Sequence, residues 1–252
     1  MKKILLLLLV VIACGLAYYS FYPNISKLKK GNPGKTALME IREAEWKAKG
    51  KKLVIRQKWV PLSRVSPFLV KAVLIGEDDK FWSHNGFDLD AIQKAVEKDL
   101  KAKKFKFGGS TISQQLVKNL YLSPSKNPLR KGKEAIITWR MERTLTKKRI
   151  LELYLNTAEW GDGIFGAEAA SQRYYGKPAA ALTAEEASRL AASLPNPRKF
   201  KADGDSRYIE NRSRIIYRIM VKRGIVIPEY EEVIGAPAEE AVQAEEQEGD
   251  TL

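Results

Sequence analysis

Apolar and polar positions along the chain fall into a few distinct arrangements. After Lys2 and Lys3, residues 4–22 form an uncharged, mostly apolar run of 19 residues. A helix of roughly 20 apolar residues crosses the hydrocarbon core of a bilayer. Lysines flank the run at Lys27, Lys29 and Lys30, and Tyr18, Tyr19, Phe21 and Tyr22 stand where an interfacial aromatic belt belongs. Residues 23–37 are polar and rich in turn formers, as in a linker, and "TALMEIREAEWKAKG" reads as a short helix ending at Gly50. "KKLVIRQKWVPLSRVSP" holds strand-like patches between turn residues.

From Ser66 the period becomes helical. Ser66 is the expected N-cap and Pro67 the first helical residue of a helix running through "FLVKAVLIG" to about Asp79. A second helix fits "LDAIQKAVEKDLKAKK", with Ile92, Ala95, Val96 and Leu100 on one stripe. A basic, glycine-containing loop, "FKFGGS", leads into a helix with Ile112, Leu116 and Leu120 inward. Asn127 and Pro128 open the next helix, and "TKKRILELYLN" turns Ile150, Leu151 and Tyr154 inward. Thr183 and Glu186 form a capping box ahead of "EEASRLAASLPNP". The chain is therefore mainly α from residue 53 to residue 223.

Charge adds a second layer. Lys and Arg number 44 against 30 Asp and Glu, and none of the bases follows Arg223. Residues 1–223 thus hold all 44 bases against 21 acids, while residues 224–252 hold nine acids and read as a disordered tail. So basic a body calls for an anionic partner: a membrane surface, phosphate-bearing ligands or nucleic acid. The N-terminal run has three readings. It fits an uncleaved anchor, a cleaved signal peptide, or a lipidation site at Cys14 within "VIAC". The anchor is favoured because the apolar run continues past Cys14 and no small-x-small site follows it. One cysteine excludes an intramolecular disulfide and a cysteine metal cluster.

Several chemistries drop out. No Walker loop is present, and a single histidine, His84, excludes HExxH. "GDGIFG" matches G-x-G-x-x-G, but "RILELYLNTAEW" before it reads as helix rather than strand. "SPSK" matches S-x-x-K without any K-T-G triplet to accompany it.

Three constellations remain. In "AVLIGEDDKFWSHNGFD", Glu77 ends an apolar helix, at the pole where the helix dipole disfavours an acid. Burial by "AVLI" and that dipole both raise a carboxyl pKa toward a general acid or base, against the alternative of an exposed acidic turn. In "GGSTISQQLVKNLYL", Ser110 or Thr111 caps a helix whose first amides suit an anion. Gln114 and Lys118, with Gln115 beside them, form a polar ridge opposite the apolar stripe. In "RKGKEAIITWRME", Arg130 and Lys131 both reach Glu134 on one helical face. That arrangement is either a surface ion pair of a few tenths of a kcal/mol or a diphosphate clamp beside a second carboxylate.

Taken in order, "EDDKFWSHNGFD", "GGSTISQQLVKNLYL", "RKGKE", "KKRILELYLNTAEWGDGIFGAEAASQRYYGK" and "EEASRLAASLPNP" resemble the monofunctional biosynthetic peptidoglycan glycosyltransferases, whose domain also fronts the bifunctional penicillin-binding proteins. The resemblance spans roughly residues 54–200. It implies a lysozyme-like α fold over residues 53–223 on a transmembrane anchor at residues 1–22, in the bacterial inner membrane with the domain on the periplasmic side. The implied substrates are lipid II and the nascent glycan strand, with no nucleic acid, and cell-wall synthesis proteins are the implied protein partners. Carried onto this chain, Glu77 is the base and Glu134 the second acid, near the donor diphosphate and any divalent cation (magnesium or manganese) held there. Lys118, Arg130 and Lys131 would neutralise the leaving diphosphate. Ser110, Thr111, Gln114 and Gln115 would line the groove, and Asp78, Phe81 and His84 would support the first motif. Asp79 and Ser113 depart from the common wording of these motifs. "VKNLYL" and "KAKKFKF" would rest on the bilayer. The competing functions are a lytic muramidase of the same fold, which would not need the clamp around Glu134, and a noncatalytic cationic wall-binding protein.

Overall fold

The computed structural model describes residues 3, 15, 18, 19, 21–52, 54–102, 109–124 and 127–227, with backbone alone for 98–102. The acidic tail beyond 227, most of the basic loop before Gly109, the S-x-x-K lysine and nearly all of the predicted anchor lie outside these residues. No described helix is long and apolar enough to cross a membrane.

The described chain is mainly helical. Its helices are α1 (Ala37–Ala48), α2 (Pro67–Glu77), α3 (Leu89–Ala102), α4 (Ile112–Tyr121), α5 (Pro128–Thr144), α6 (Lys147–Thr157), α7 (Ala167–Tyr175), α8 (Ala184–Ser193) and α9 (Arg207–Lys222). The expected starts hold. Thr36, Ser66, Thr111, Asn127 and Thr183 each accept a first-turn amide with a side-chain oxygen, and Pro67 and Pro128 stand at the first helical position. Each such cap satisfies an amide the helix leaves without a partner.

One core gathers the inward stripes. Leu69, Ala72 and Val73 of α2, Ile112 and Leu116 of α4, Ile137 and Met141 of α5, and Ile150, Leu151 and Tyr154 of α6 are all buried in it. α8 packs against both α2 and α9. The close α2–α9 approach depends on Gly76, where a Cβ would stand 3.3 Å from Ile216 Cδ1.

Two regions differ from the sequence reading. "EWGDGIFG" is a hairpin of β2 (Glu159–Gly161) and β3 (Ile164–Phe165), and β1 (Arg56–Gln57) pairs parallel to β3. The glycines of "GDGIFG" serve this packing rather than a nucleotide. A Cβ on Gly161 would lie 2.3 Å from Tyr174 Oη, Gly163 has φ +74°, and Gly166 has φ +86° with Asn156 O 2.8 Å from a Cβ. A strand of three residues is too short to show a period, so the helical pattern of "RILELYLNTAEW" carries on into β2. Residues 23–37 are also not a loose linker. A 3₁₀ turn at Ile25–Lys29 buries Ile25 and Leu28 in the main core. Arg149 Nε donates to Leu28 O at 2.8 Å and its Nη2 to Gly31 O at 2.7 Å. Arg140 of α5 likewise donates to the carbonyls of Tyr19, Phe21 and Pro23, at 2.9–3.1 Å.

Candidate active site

Glu77 is the last residue of α2, and its side chain is only 10% exposed. Gln115 Nε2 donates to Oε2 at 2.9 Å, and Arg212 Nη2 donates to Oε1 at 3.1 Å. Burial pushes the Glu77 carboxyl above its ordinary range, against the opposing pull of Gln115, Arg212 and Lys118. The acid is thus enclosed yet solvated by fixed donors, which oppose the effect of burial on its proton.

The next two acids have separate jobs. Asp78 is buried at the end of α2; its Oδ1 pairs with His84 Nε2 at 2.8 Å and its Oδ2 accepts Ile112 N–H at 2.9 Å. Gly86 N–H donates to His84 Nδ1 at 3.1 Å, which assigns the ring hydrogen to Nε2, facing Asp78. The anion expected at the start of α4 is therefore Asp78 itself. Asp79 is exposed and grips Arg223, just past α9, through two bonds of 2.6 and 2.8 Å, which hold its carboxyl below the usual range. Phe81 is fully buried under Lys147 Nζ, 4.4 Å from the ring centroid. Asp78, Phe81 and His84 are thus brought together as the joint between α2 and α4.

The predicted polar ridge on α4 is corrected. Gln114 is buried, and its Oε1 accepts Thr111 N–H at 3.1 Å while Thr111 Oγ1 accepts Gln114 N–H at 3.3 Å. Thr111 also donates to Gly86 O at 2.7 Å. Both residues close the end of the helix rather than line a groove. Helical spacing put Gln114 in line with Lys118, but a glutamine at the third position after a threonine cap turns back on the cap. Gln115 does face the site, bonded to Glu77.

The third constellation is no surface ion pair. Glu134 is 2% exposed, and its two oxygens accept from Arg130 Nη1 and Lys131 Nζ separately. Lys131 Nζ also reaches Ser110 Oγ at 3.3 Å. Lys118 lies near enough to feel both carboxylates. Burial lowers its pKa most, Glu134 raises it, Arg130 and Lys131 lower it, and Glu77 raises it again. Both Glu134 oxygens are already engaged by cations, so a divalent cation held there would have to displace Arg130 or Lys131.

The site is thus one buried acid at a helix end, one cationic cluster organised on a second acid, and Lys118 electrostatically coupled to both. Sequence reasoning missed Arg212 and Tyr154 as neighbours of Glu77. Tyr154 was read as core, and Arg212 lies beside the inward stripe Ile209, Ile216 and Met220, the one signal that could have placed it.

The transglycosylase family model matches residues 48–221. The chain belongs to that family. It is 50% identical over 189 residues to a biosynthetic peptidoglycan transglycosylase of Thiobacillus denitrificans, covering 75% of this chain and 82% of the relative. A protein of the same description from Nitrosospira multiformis is 46% identical over 194 residues, covering 77% and 84%. One from a Janthinobacterium species is 45% identical over 222 residues, covering 87% and 96%. This transglycosylase matches these relatives across 82–96% of their length, so the resemblance read from five short stretches extends through the body that carries Glu77, Lys118 and Glu134.

Proposed function

We propose that this transglycosylase polymerises lipid II into glycan strands at the bacterial cell envelope, with Glu77 as general base and the cluster around Glu134 as diphosphate site. The observation that carries the reading is the pairing of a buried, pKa-raised carboxylate with a separate cationic cluster on a buried acid. Glu77 takes the proton from the 4-hydroxyl of the acceptor sugar as that oxygen bonds to the anomeric carbon of the donor. The bond from that carbon to the diphosphate oxygen breaks on the opposite face, inverting the centre. Polyprenyl diphosphate leaves as an anion stabilised by Lys118, Arg130 and Lys131, so no strong acid is needed at the leaving oxygen. Glu134 holds Arg130 and Lys131 in register, and Ser110 and Gln115 complete the edge of the site.

The lipid substrate requires the bilayer. Residues 1–22 serve as a single-pass anchor in the inner membrane with the catalytic body on the periplasmic side. Exposed Tyr18, Phe21 and Tyr22 gather at the end of the anchor, and exposed Leu129 and Trp139 of α5 line the outer face of the helix that grips it. Lys133 sits over Tyr19 at 4.9 Å and Arg143 over Trp139 at 4.5 Å, so apolar rings and cations alternate as an anionic interface favours.

The deciding experiment supplies purified protein with labelled lipid II or with intact sacculi. Polymer from lipid II is expected, with Glu77→Gln reducing it at least about a thousandfold while lipid II binding survives. Soluble fragments from sacculi without polymer would make the protein a muramidase instead.

A further inference from the structure

We infer that Tyr154 and Arg212 are positioning residues for Glu77. Tyr154 selects which end of the Gln115 amide meets the carboxylate, and Arg212 fixes the opposite oxygen together with the last turn of α2. The inference rests on the reading of Glu77 as the base.

A glutamine amide has two ends of nearly equal size and opposite hydrogen-bonding character. With its nitrogen toward Glu77, Gln115 solvates the ionised acid; with its oxygen there, it repels that form. Gln115 Nε2 faces Glu77 at 2.9 Å, and the other end, Oε1, accepts the Tyr154 hydroxyl at 3.0 Å. Tyr154 is buried in the core. Burial, then the charges of Glu77 and Asp78, keep its phenol protonated well above the ordinary range. It is therefore a donor throughout the working pH range. Flipping the amide would leave that buried O–H without an acceptor and bring two oxygens together at Glu77. Both penalties disfavour the flip, and Tyr154 supplies one of them.

Arg212 acts from the other side. Its Nη2 donates to Gly76 O at 2.7 Å and to Glu77 Oε1 at 3.1 Å. One group thereby satisfies a carbonyl left open at the helix end and one carboxylate oxygen. Arg212 Nε is enclosed without a partner among the described residues, the side chain as a whole is half-buried, and Nη2 bonds to the end of α2. The charged and titratable groups around Glu77 are Arg212 from α9, Lys118 from α4, Tyr154 from α6 and the adjoining Asp78, which is engaged by His84 and Ile112 N–H.

The test is kcat and KM for lipid II polymerisation across pH, using full-length enzyme. Tyr154→Phe should lower kcat about 5- to 20-fold, with KM within about 2-fold. Its acid limb should move up by about 0.5 to 1 pH unit, because losing an ordered donor disfavours the ionised carboxylate. Gln115→Ala should shift the limb likewise, and adding Tyr154→Phe to it should change kcat by less than about 2-fold, since the tyrosine acts through the glutamine. Arg212→Gln should raise the limb, and Arg212→Lys should return it toward wild type with kcat still reduced.

An unmoved acid limb in Tyr154→Phe, or an equal cost of Tyr154→Phe in the Gln115→Ala background, would overturn the role of Tyr154. If Tyr154→Phe does not fold, Gln115→Ala and Arg212→Gln decide: limbs that coincide with wild type refute the cradle. Polymerisation retained by Glu77→Gln would instead refute the base itself, an outcome separate from either result.

Discussion

Glu77 illustrates what a buried acid costs its own fold. Its folded pKa lies above its unfolded value because burial penalises the charge. As pH rises past the ordinary carboxylate range, the unfolded chain releases this proton first, so the group erodes stability over the interval up to the folded pKa. Glutamine carries no such charge. Glu77→Gln should therefore match or exceed the wild-type melting temperature at pH 8 while losing polymerisation, which thermal unfolding at pH 4 and pH 8 can check; the difference should shrink at pH 4. A clear loss of stability at pH 8 would mean that the carboxylate is a structural anchor. The position of Glu77 was legible because an apolar helix ending in an acid violates the dipole rule. Its partner Arg212 was not, since it lies 135 residues away and no local pattern joins the two.

Between elements, Asp78 is the joint. One carboxylate meets the histidine of the following loop and the first amide of α4, so the end of α2 and the start of α4 share a single group. Asp78→Ala would leave Ile112 N–H and His84 Nε2 without an acceptor in a buried setting, a loss of about 2 to 4 kcal/mol. Chemical denaturation should show it as a lower midpoint with an unchanged slope. Stability within about 0.5 kcal/mol of wild type would remove Asp78 from this role. Helix starts read correctly because a cap is a local event: Ser66, Asn127 and Thr183 act within three residues of themselves. Gln114 failed the same reading because periodicity alone cannot tell a ridge from a capping box. The hairpin at Glu159 failed because its strands offer too few positions for alternation to register.

At the scale of the molecule, charge and exposure divide the labour. The cationic excess of residues 1–223 was plain in composition, but its concentration around a buried glutamate was visible only as a spacing. The exposed rings near the anchor add an apolar contribution. Replacing Phe21 and Trp139 together by serine should weaken association of a form truncated before residue 18 with anionic vesicles by about 10-fold or more, measured by flotation, given the area these two rings expose. Unchanged flotation would place the interface elsewhere. Arg140 gives this arrangement a further meaning. It bolts the carbonyls of Tyr19, Phe21 and Pro23 to α5, six residues along the same helix from Glu134. Six residues are about 9 Å of helix axis. Under the proposed anchor, α5 is then a ruler. The working height of the proposed diphosphate site above the bilayer is set by a rigid rod, and lengthening the chain between Arg149's grip on Gly31 and α1 would leave that height untouched.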